Sequence, residues 1–268
     1  MNTTSETPRL EKFRITPLSG PAASSSRPLS APLSAEIKAA FDASPDGEVA
    51  VQSVDVRIPL LEKNDILAER NRGYFLGRGL VALNLVSSPG AGKTTLLERT
   101  LDEFGHETRC AVLVGDLETE NDGRRLRRDH VPVAQITTGT TCHLDASMIA
   151  RGVEALDLDR VKALFIENVG NLVCPASFDL GEQVRVVLLS TTEGEDKPLK
   201  YPPIFKSAHV VLLTKIDVAG ALGFDCALAV ENIRRIAPQA RVIQLSARTG
   251  EGFAAWFDLL RSLVAKGR

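Results

Sequence analysis

The sequence predicts an α/β fold: a mostly parallel seven-stranded sheet with helices on both faces, preceded by a disordered N-terminal tail. Three observations carry this expectation. From residue 80 onward, seven short and nearly continuous apolar runs alternate with polar, helix-like segments, the pattern of parallel strands buried on both faces. A glycine-rich loop separates the first run from a good helix-forming segment. The first 34 residues, by contrast, hold 12 Ser and Pro and almost no large apolar side chains, too little to offset the entropy of ordering.

The elements follow in order. Residues 1–57 read as a disordered or weakly structured extension, with Val54, Val56 and Ile58 alternating but unassigned. Residues 58–268 read as the folded domain. It opens with a helix over 58–77, with Pro59 at a first-turn position and Leu60, Leu67 and Tyr74 a heptad apart. The strands are expected at VALNLV from 81, CAVLVG from 110, VAQI from 133, ALFIEN from 163, VRVVLL from 184, HVVLLT from 209 and RVIQL from 241. In such sheets ligands bind where loops leave the carboxyl ends of the strands.

Composition narrows the partners. The 268 residues are 44% hydrophobic and 25% charged, which excludes collagen-like, coiled-coil and wholly disordered chains. Lys and Arg number 32 against 34 Asp and Glu, a formal charge of -2, so no basic field favours nucleic acid or anionic lipid. No apolar run approaches the ~20 residues needed to span a bilayer, and no signal peptide is visible. A cytoplasmic location is expected, with Cys110, Cys142, Cys174 and Cys226 as thiols or metal ligands rather than a disulfide framework.

The glycine loop carries the first chemistry. Ser87-Ser88-Pro89-Gly90-Ala91-Gly92-Lys93-Thr94-Thr95 lies between a strand and a helix, the context of a Walker A phosphate loop, and so predicts a P-loop NTPase. Backbone N–H groups of Gly90 to Thr95 would cradle phosphates, Lys93 would reach the β and γ phosphates, and Thr94 would bind magnesium. Ser87 stands where the motif has its first glycine. Thr214-Lys215-Ile216-Asp217, at the end of HVVLLT, is close to the [NT]KxD of GTPases, whose aspartate accepts from guanine N1 and the exocyclic amine. Ser246-Ala247-Arg248 resembles the SAK loop over guanine O6. Thr214 in place of asparagine is expected to lose one tethering hydrogen bond, worth about 0.5 to 1.5 kcal/mol. Asp116 and Glu167, at the ends of two strands, are candidates for magnesium or for helix capping. Glu167-Asn168-Val169-Gly170 occupies the place of a DxxG switch, with Gly170 donating to the γ phosphate.

Cys142 and His143 adjoin the start of a helix, where two consecutive residues can face one ion and where a thiolate is favoured. Cys174 follows the switch by four residues, so the three would move with nucleotide state. Two thiols and an imidazole suit zinc, nickel(II) or copper(I) rather than magnesium or calcium. They fall one ligand short of a closed tetrahedral site, leaving water or a symmetric second copy to complete it. The plain alternative is ordinary buried thiols and a surface imidazole. Cys110 and Cys226 read as core residues, and His106, His130 and His209 carry no spacing argument.

SSPGAGKTTLLERT, GDLETENDGRRLR, TTGTTCHLDASMI, FIENVGNLVCPASFDLGE, TEGEDKPLKYPPIF and LLTKIDVAG together resemble the HypB family, the nickel-incorporation GTPases of hydrogenase maturation, over roughly residues 58–268. Ser87 is usual in that family. The resemblance implies a GTP-hydrolysing nickel metallochaperone with slow turnover, using GTP/GDP, magnesium, and nickel or zinc at Cys142, His143 and Cys174. It implies Lys93, Asp116 and Glu167 as catalytic groups and a GTP-promoted homodimer. The implied partners are a small zinc-containing accessory protein and the hydrogenase large subunit. The cysteine motif and histidine-rich stretch found near the N-terminus of many members are not seen before residue 58. Rival readings are a urease or cobalamin-mutase GTPase chaperone, which would not share CHLDA and EGEDKPLKYP; a small-molecule kinase, against which Asp217 argues; and a storage protein, which would carry a histidine tract.

Overall fold

The structure is a computed structural model. It describes the backbone of Arg14–Pro17, then residues 60–116 and 121–266. The alternating Val54, Val56 and Ile58 lie outside the described residues, as does the rest of the stretch read as a disordered tail, except Arg14–Pro17, which is a strand.

The expected seven strands are all present: β2 (Val81–Ser87), β3 (Cys110–Asp116), β4 (Val133–Thr137), β5 (Ala163–Glu167), β6 (Val184–Ser190), β7 (Val210–Thr214) and β8 (Arg241–Leu245). They are parallel throughout. An eighth strand, β1 (Arg14–Pro17), adds antiparallel to the β4 edge with Arg14 opposite Thr137. The order is β1-β4-β3-β5-β2-β6-β7-β8. The chain thus builds outward to one side of β2, returns to β5, then crosses β2 to build the other side. A crevice opens above β2 at this change of direction, as expected of doubly wound sheets.

Alternation along the strands fills two apolar layers. Leu83, Leu85, Val112, Val114 and Phe165 face α2 (Lys93–Glu103) and α9 (Phe253–Lys266), where buried Trp256 donates its indole N–H to Thr100 Oγ1 at 3.0 Å. Ala82, Leu113, Ile136 and Ile166 face α1 (Leu60–Gly77) and α4 (Ala146–Glu154). On the same side, Val187, Leu189, Val211 and Leu213 meet α6 (Pro202–Lys206) and α8 (Cys226–Ile236). The short helices α3 (Asn121–Arg125), α5 (Lys197–Lys200) and α7 (Ala219–Leu222) lie in connections.

The heptad reading of α1 is corrected. Leu60 is 71% exposed, and Leu67 and Tyr74 are only half-buried. The inward stripe is Asn64, Ala68, Asn71 and Phe75. The asparagines face inward because they have backbone partners there: Asn64 donates to Asp179 O and accepts from Ala146 N, and Asn71 donates to Ala146 O and Leu180 O. Burial of a polar side chain is tolerated when its hydrogen bonds are made. No helix among the described residues is long and apolar enough to cross a membrane.

Candidate functional site: a phosphate chamber, a base cavity and a thiol–imidazole cluster

The loop after β2 turns through Gly90 (φ 74°) and Gly92 (φ 96°), conformations that side chains rarely adopt, and delivers Lys93 as the first residue of α2. Ser87 fills the missing-glycine position productively. Its hydroxyl accepts from Lys93 Nζ at 3.0 Å and donates to Ser88 O at 2.7 Å. Gly90, Gly92, Lys93, Thr94, Thr95, Asp116, Glu167, Gly170 and Lys215 line one chamber of about 490 Å³. Thr94 donates to Glu167 Oε1 at 2.7 Å, while the other carboxylate oxygen, Oε2, is buried without a hydrogen-bond partner. Burial, the largest effect, pushes the Glu167 carboxyl up to about 7, opposed by Lys93; burial likewise lowers the Lys93 ammonium from its ordinary value, with Glu167 opposing. A polyanion beside Lys93 and a divalent cation beside Glu167 would each restore the charged form. Oxygen donors of this kind, one buried and unpartnered, fit magnesium.

A second cavity of about 260 Å³ adjoins the chamber, lined by Ala91, Gly92, Thr95, Leu96 and Thr214 on one side and by Lys215, Asp217, Val218, Leu245, Ser246, Ala247 and Arg248 on the other. Lys215 is left-handed (φ 61°), which turns its stem over the loop so that Nζ donates to Gly90 O at 2.7 Å. Thr214, which is expected to have one tether fewer than an asparagine, keeps a bond to the loop: its hydroxyl donates to Ala91 O at 2.8 Å, so this strand end is tied to the phosphate loop. Ser246 donates to Asp217 Oδ1 at 2.6 Å and fixes the carboxylate's rotamer. Arg248 Nε is 3.8 Å from Asp217 Oδ2, with the Arg248 side chain 84% exposed.

Glu167 to Cys174 is one loop with two neighbours. Gly170 lies against the phosphate loop so closely that a Cβ there would meet Pro89 Cα at 2.9 Å. Four residues on, Cys174 Sγ sits 3.1 Å from Cys142 Sγ, and the ligand atoms of Cys142, His143 and Cys174 all lie within 4.8 Å of one another. The His143 ring stacks at a tilt on Phe178, 4.0 Å between centroids, and its Nδ1 is buried without a hydrogen-bond partner. These donors fit a soft or borderline cation. The sequence placed Cys142 at a helix start or the loop before it, and expected the helix start to favour its thiolate. It lies in the loop before the α4 N-cap, Asp145, and the hydrogen bond with Cys174 instead raises its thiol from the ordinary value, with burial adding to the effect.

Cys110 is buried as expected, and burial pushes its thiol up to about 12; Cys226 is only half-buried, at the first turn of α8. His209 Nδ1 accepts from Arg185 N, while His106 stacks on His130. Sequence reasoning missed Asp122 and Arg125, which line the phosphate chamber. It also missed Thr191, whose hydroxyl donates to Lys215 O. Asp122 and Arg125 fall within GDLETENDGRRLR, whose charges sit on a connection with no spacing of its own to single them out.

The family model described as "CobW/HypB/UreG, nucleotide-binding domain" matches residues 81–244. The chain is 51% identical over 209 residues to hydrogenase maturation factor HypB of Escherichia coli (strain K12), covering 78% of this chain and 72% of that protein. It is 40% identical over 211 residues to the probable hydrogenase maturation factor HypB of Methanocaldococcus jannaschii, 79% of this chain and 96% of that one. Among solved structures, HypB from Helicobacter pylori in complex with nickel matches with TM-score 0.72 at 39% identity, covering 76% of this chain and 96% of that chain. HypB from Archaeoglobus fulgidus matches with TM-score 0.71 at 40% identity, covering 75% and 98%. The matched segment holds the phosphate loop, the 167–174 loop and all three thiol–imidazole residues. The chain therefore belongs to the HypB family of hydrogenase maturation factors, within the CobW/HypB/UreG nucleotide-binding proteins.

Proposed function

We propose that this protein is a GTP-hydrolysing nickel metallochaperone that inserts nickel into the large subunit of a [NiFe]-hydrogenase, with metal binding coupled to nucleotide state and to dimerisation. The observation that carries the reading is a single loop, residues 167–174, whose first half lines the phosphate chamber and whose last residue joins Cys142 and His143. The nickel complex of the Helicobacter pylori relative supports the choice of cargo.

In this reading the N–H groups of Gly90 to Thr95 and the Lys93 ammonium hold the phosphates, Gly170 senses the γ phosphate, and Asp217 accepts the two guanine donors. Lys215 packs along the base, and Ser246, Ala247 and Arg248 close the cavity around it. Thr94, Asp116 and Glu167 would hold magnesium, which when bound neutralises charge on the phosphate oxygens. Cys142, His143 and Cys174 hold nickel or zinc as cargo, one ligand short of a closed site, so a second copy or water completes it. Turnover is slow, as suits a switch. The remaining partners are a small zinc-containing accessory protein and the hydrogenase large subunit, in the cytoplasm.

Gel filtration with metal analysis, run with GDP and with a non-hydrolysable GTP analogue, tests the reading. Cys142→Ala is expected to lose bound nickel and the analogue-induced dimer together. Lys93→Ala is expected to slow GTP hydrolysis by roughly 100-fold or more. Nickel retained by the Cys142 variant, or equal nickel affinity in the two nucleotide states of the unaltered chain, overturns it.

A further inference from the structure

Between Glu167 and Gly170, which both line the phosphate chamber, the Asn168 side chain stays out of that lining. It is 2% exposed. Its Oδ1 accepts from the backbone N–H of Leu144 at 3.2 Å and from that of Val169 at 2.9 Å, and its Nδ2 donates to Asn84 Oδ1 at 3.3 Å. Leu144 directly follows Cys142 and His143. The loop carrying two of the three ligand groups is therefore pinned by a side chain of the switch that carries the third.

Two further contacts make the joint stiff. Leu144 is fully buried against Gly115, where a Cβ would meet its side chain at 2.7 Å, and Gly115 is the residue before Asp116. Asn171, on the half-exposed side of the same switch loop, donates to Cys142 O at 3.2 Å. Asn84 is anchored in turn by donating to Glu182 Oε1 at 3.1 Å, so Asn168 pivots on a fixed partner rather than drifting with the loop.

We infer that Asn168 is the positioning residue through which the switch loop sets the geometry of the metal cluster, by way of its hydrogen bond to Leu144 N, with Asn171 as the second tie. The inference rests on the coupled-chaperone reading above. When the 167–170 backbone moves with nucleotide state, the Asn168 carboxamide carries the Leu144 amide with it. Cys142 and His143 then shift relative to Cys174. A buried carboxamide suits this task because it makes three directional bonds at once, and a buried partner left unpaired is costly.

The test measures Ni²⁺ dissociation constants by the nickel–thiolate absorbance of the full chain, with GDP and with a non-hydrolysable GTP analogue. The unaltered chain is expected to show a ratio of roughly 10-fold or more between the two states. In Asn168→Ala the ratio collapses to within about 2-fold while the GTP analogue still binds. Asn168→Asp keeps the acceptor for Leu144 and Val169 but loses the donor to Asn84, and is expected to restore only part of the ratio, which loss of packing alone does not explain. Asn171→Ala, with no buried gap to fill, gives an intermediate ratio. An unaltered ratio in a folded Asn168→Ala chain overturns the inference; so does an unaltered ratio in Asn171→Ala should the first variant fail to fold. Equal affinities in the unaltered chain overturn the coupling reading along with it.

Discussion

Asp217 and Glu167 show how single carboxyl groups are tuned by what lies against them. Asp217, which lines the base cavity, is held by the Ser246 hydroxyl at 2.6 Å on one oxygen and has Arg248 Nε 3.8 Å from the other. In the proposed reading its two bonds to guanine are charge-assisted, each worth about 1.5 to 3 kcal/mol. Asp217→Asn is expected to weaken GTP binding by roughly 100-fold and to strengthen binding of xanthosine triphosphate, whose 2-oxo group accepts where guanine donates; competition with a fluorescent nucleotide reads both. Glu167 is governed by burial, which raises its carboxyl from 4.5 to about 7. A raised acid favours the folded chain at low pH, and that contribution is lost as pH climbs from 4.5 through about 7. Magnesium has the opposite demand, since it needs the ionised form. Magnesium affinity of the nucleotide complex is therefore expected to be weaker near about pH 6 than near about pH 8, as a titration at the two values would show; a flat response would mean that Glu167 does not hold the ion.

At the scale of elements, α1 was legible as a helix but its orientation was not. Apolar periodicity pointed to Leu60, Leu67 and Tyr74, whereas the buried stripe includes Asn64 and Asn71, each bonded to backbone beside α4 or the 179–182 loop. A pattern of apolar residues cannot register asparagines whose partners lie more than 70 residues away. Asn71→Leu is expected to destabilise the chain by about 1 to 3 kcal/mol, because Ala146 O and Leu180 O lose a donor in a buried setting; urea denaturation checks it. The strand β6 carries a comparable polar insertion. Arg185 binds Glu182 at 2.8 Å, with side chains only 8% and 4% exposed, and donates also to Phe178 O and Ser207 Oγ. Arg185→Met leaves that carboxylate buried without its counter-charge and is expected to cost about 3 to 5 kcal/mol. The further change Glu182→Gln should recover part of the loss.

Across the whole molecule, the β2 switch point gathers loops from five strand ends into one crevice, so the phosphate loop and the loops proposed to act as switch and base-recognition elements become neighbours despite spanning residues 87–248. The sequence by itself determined the seven parallel strands, because burial on both faces of the inner strands demands nearly continuous apolar runs, and the phosphate loop, because a backbone cradle demands glycines at set spacing. It also singled out Cys142, His143 and Cys174 as candidate ligands for one soft or borderline cation. Only the tertiary structure decided that their ligand atoms lie within 4.8 Å of one another and that Asn168 ties their two loops. It alone showed that Thr214 still tethers the phosphate loop. Local chain preferences are written in adjacent residues. A hydrogen bond between groups 24 or 123 positions apart exists only once the sheet has brought their strands together.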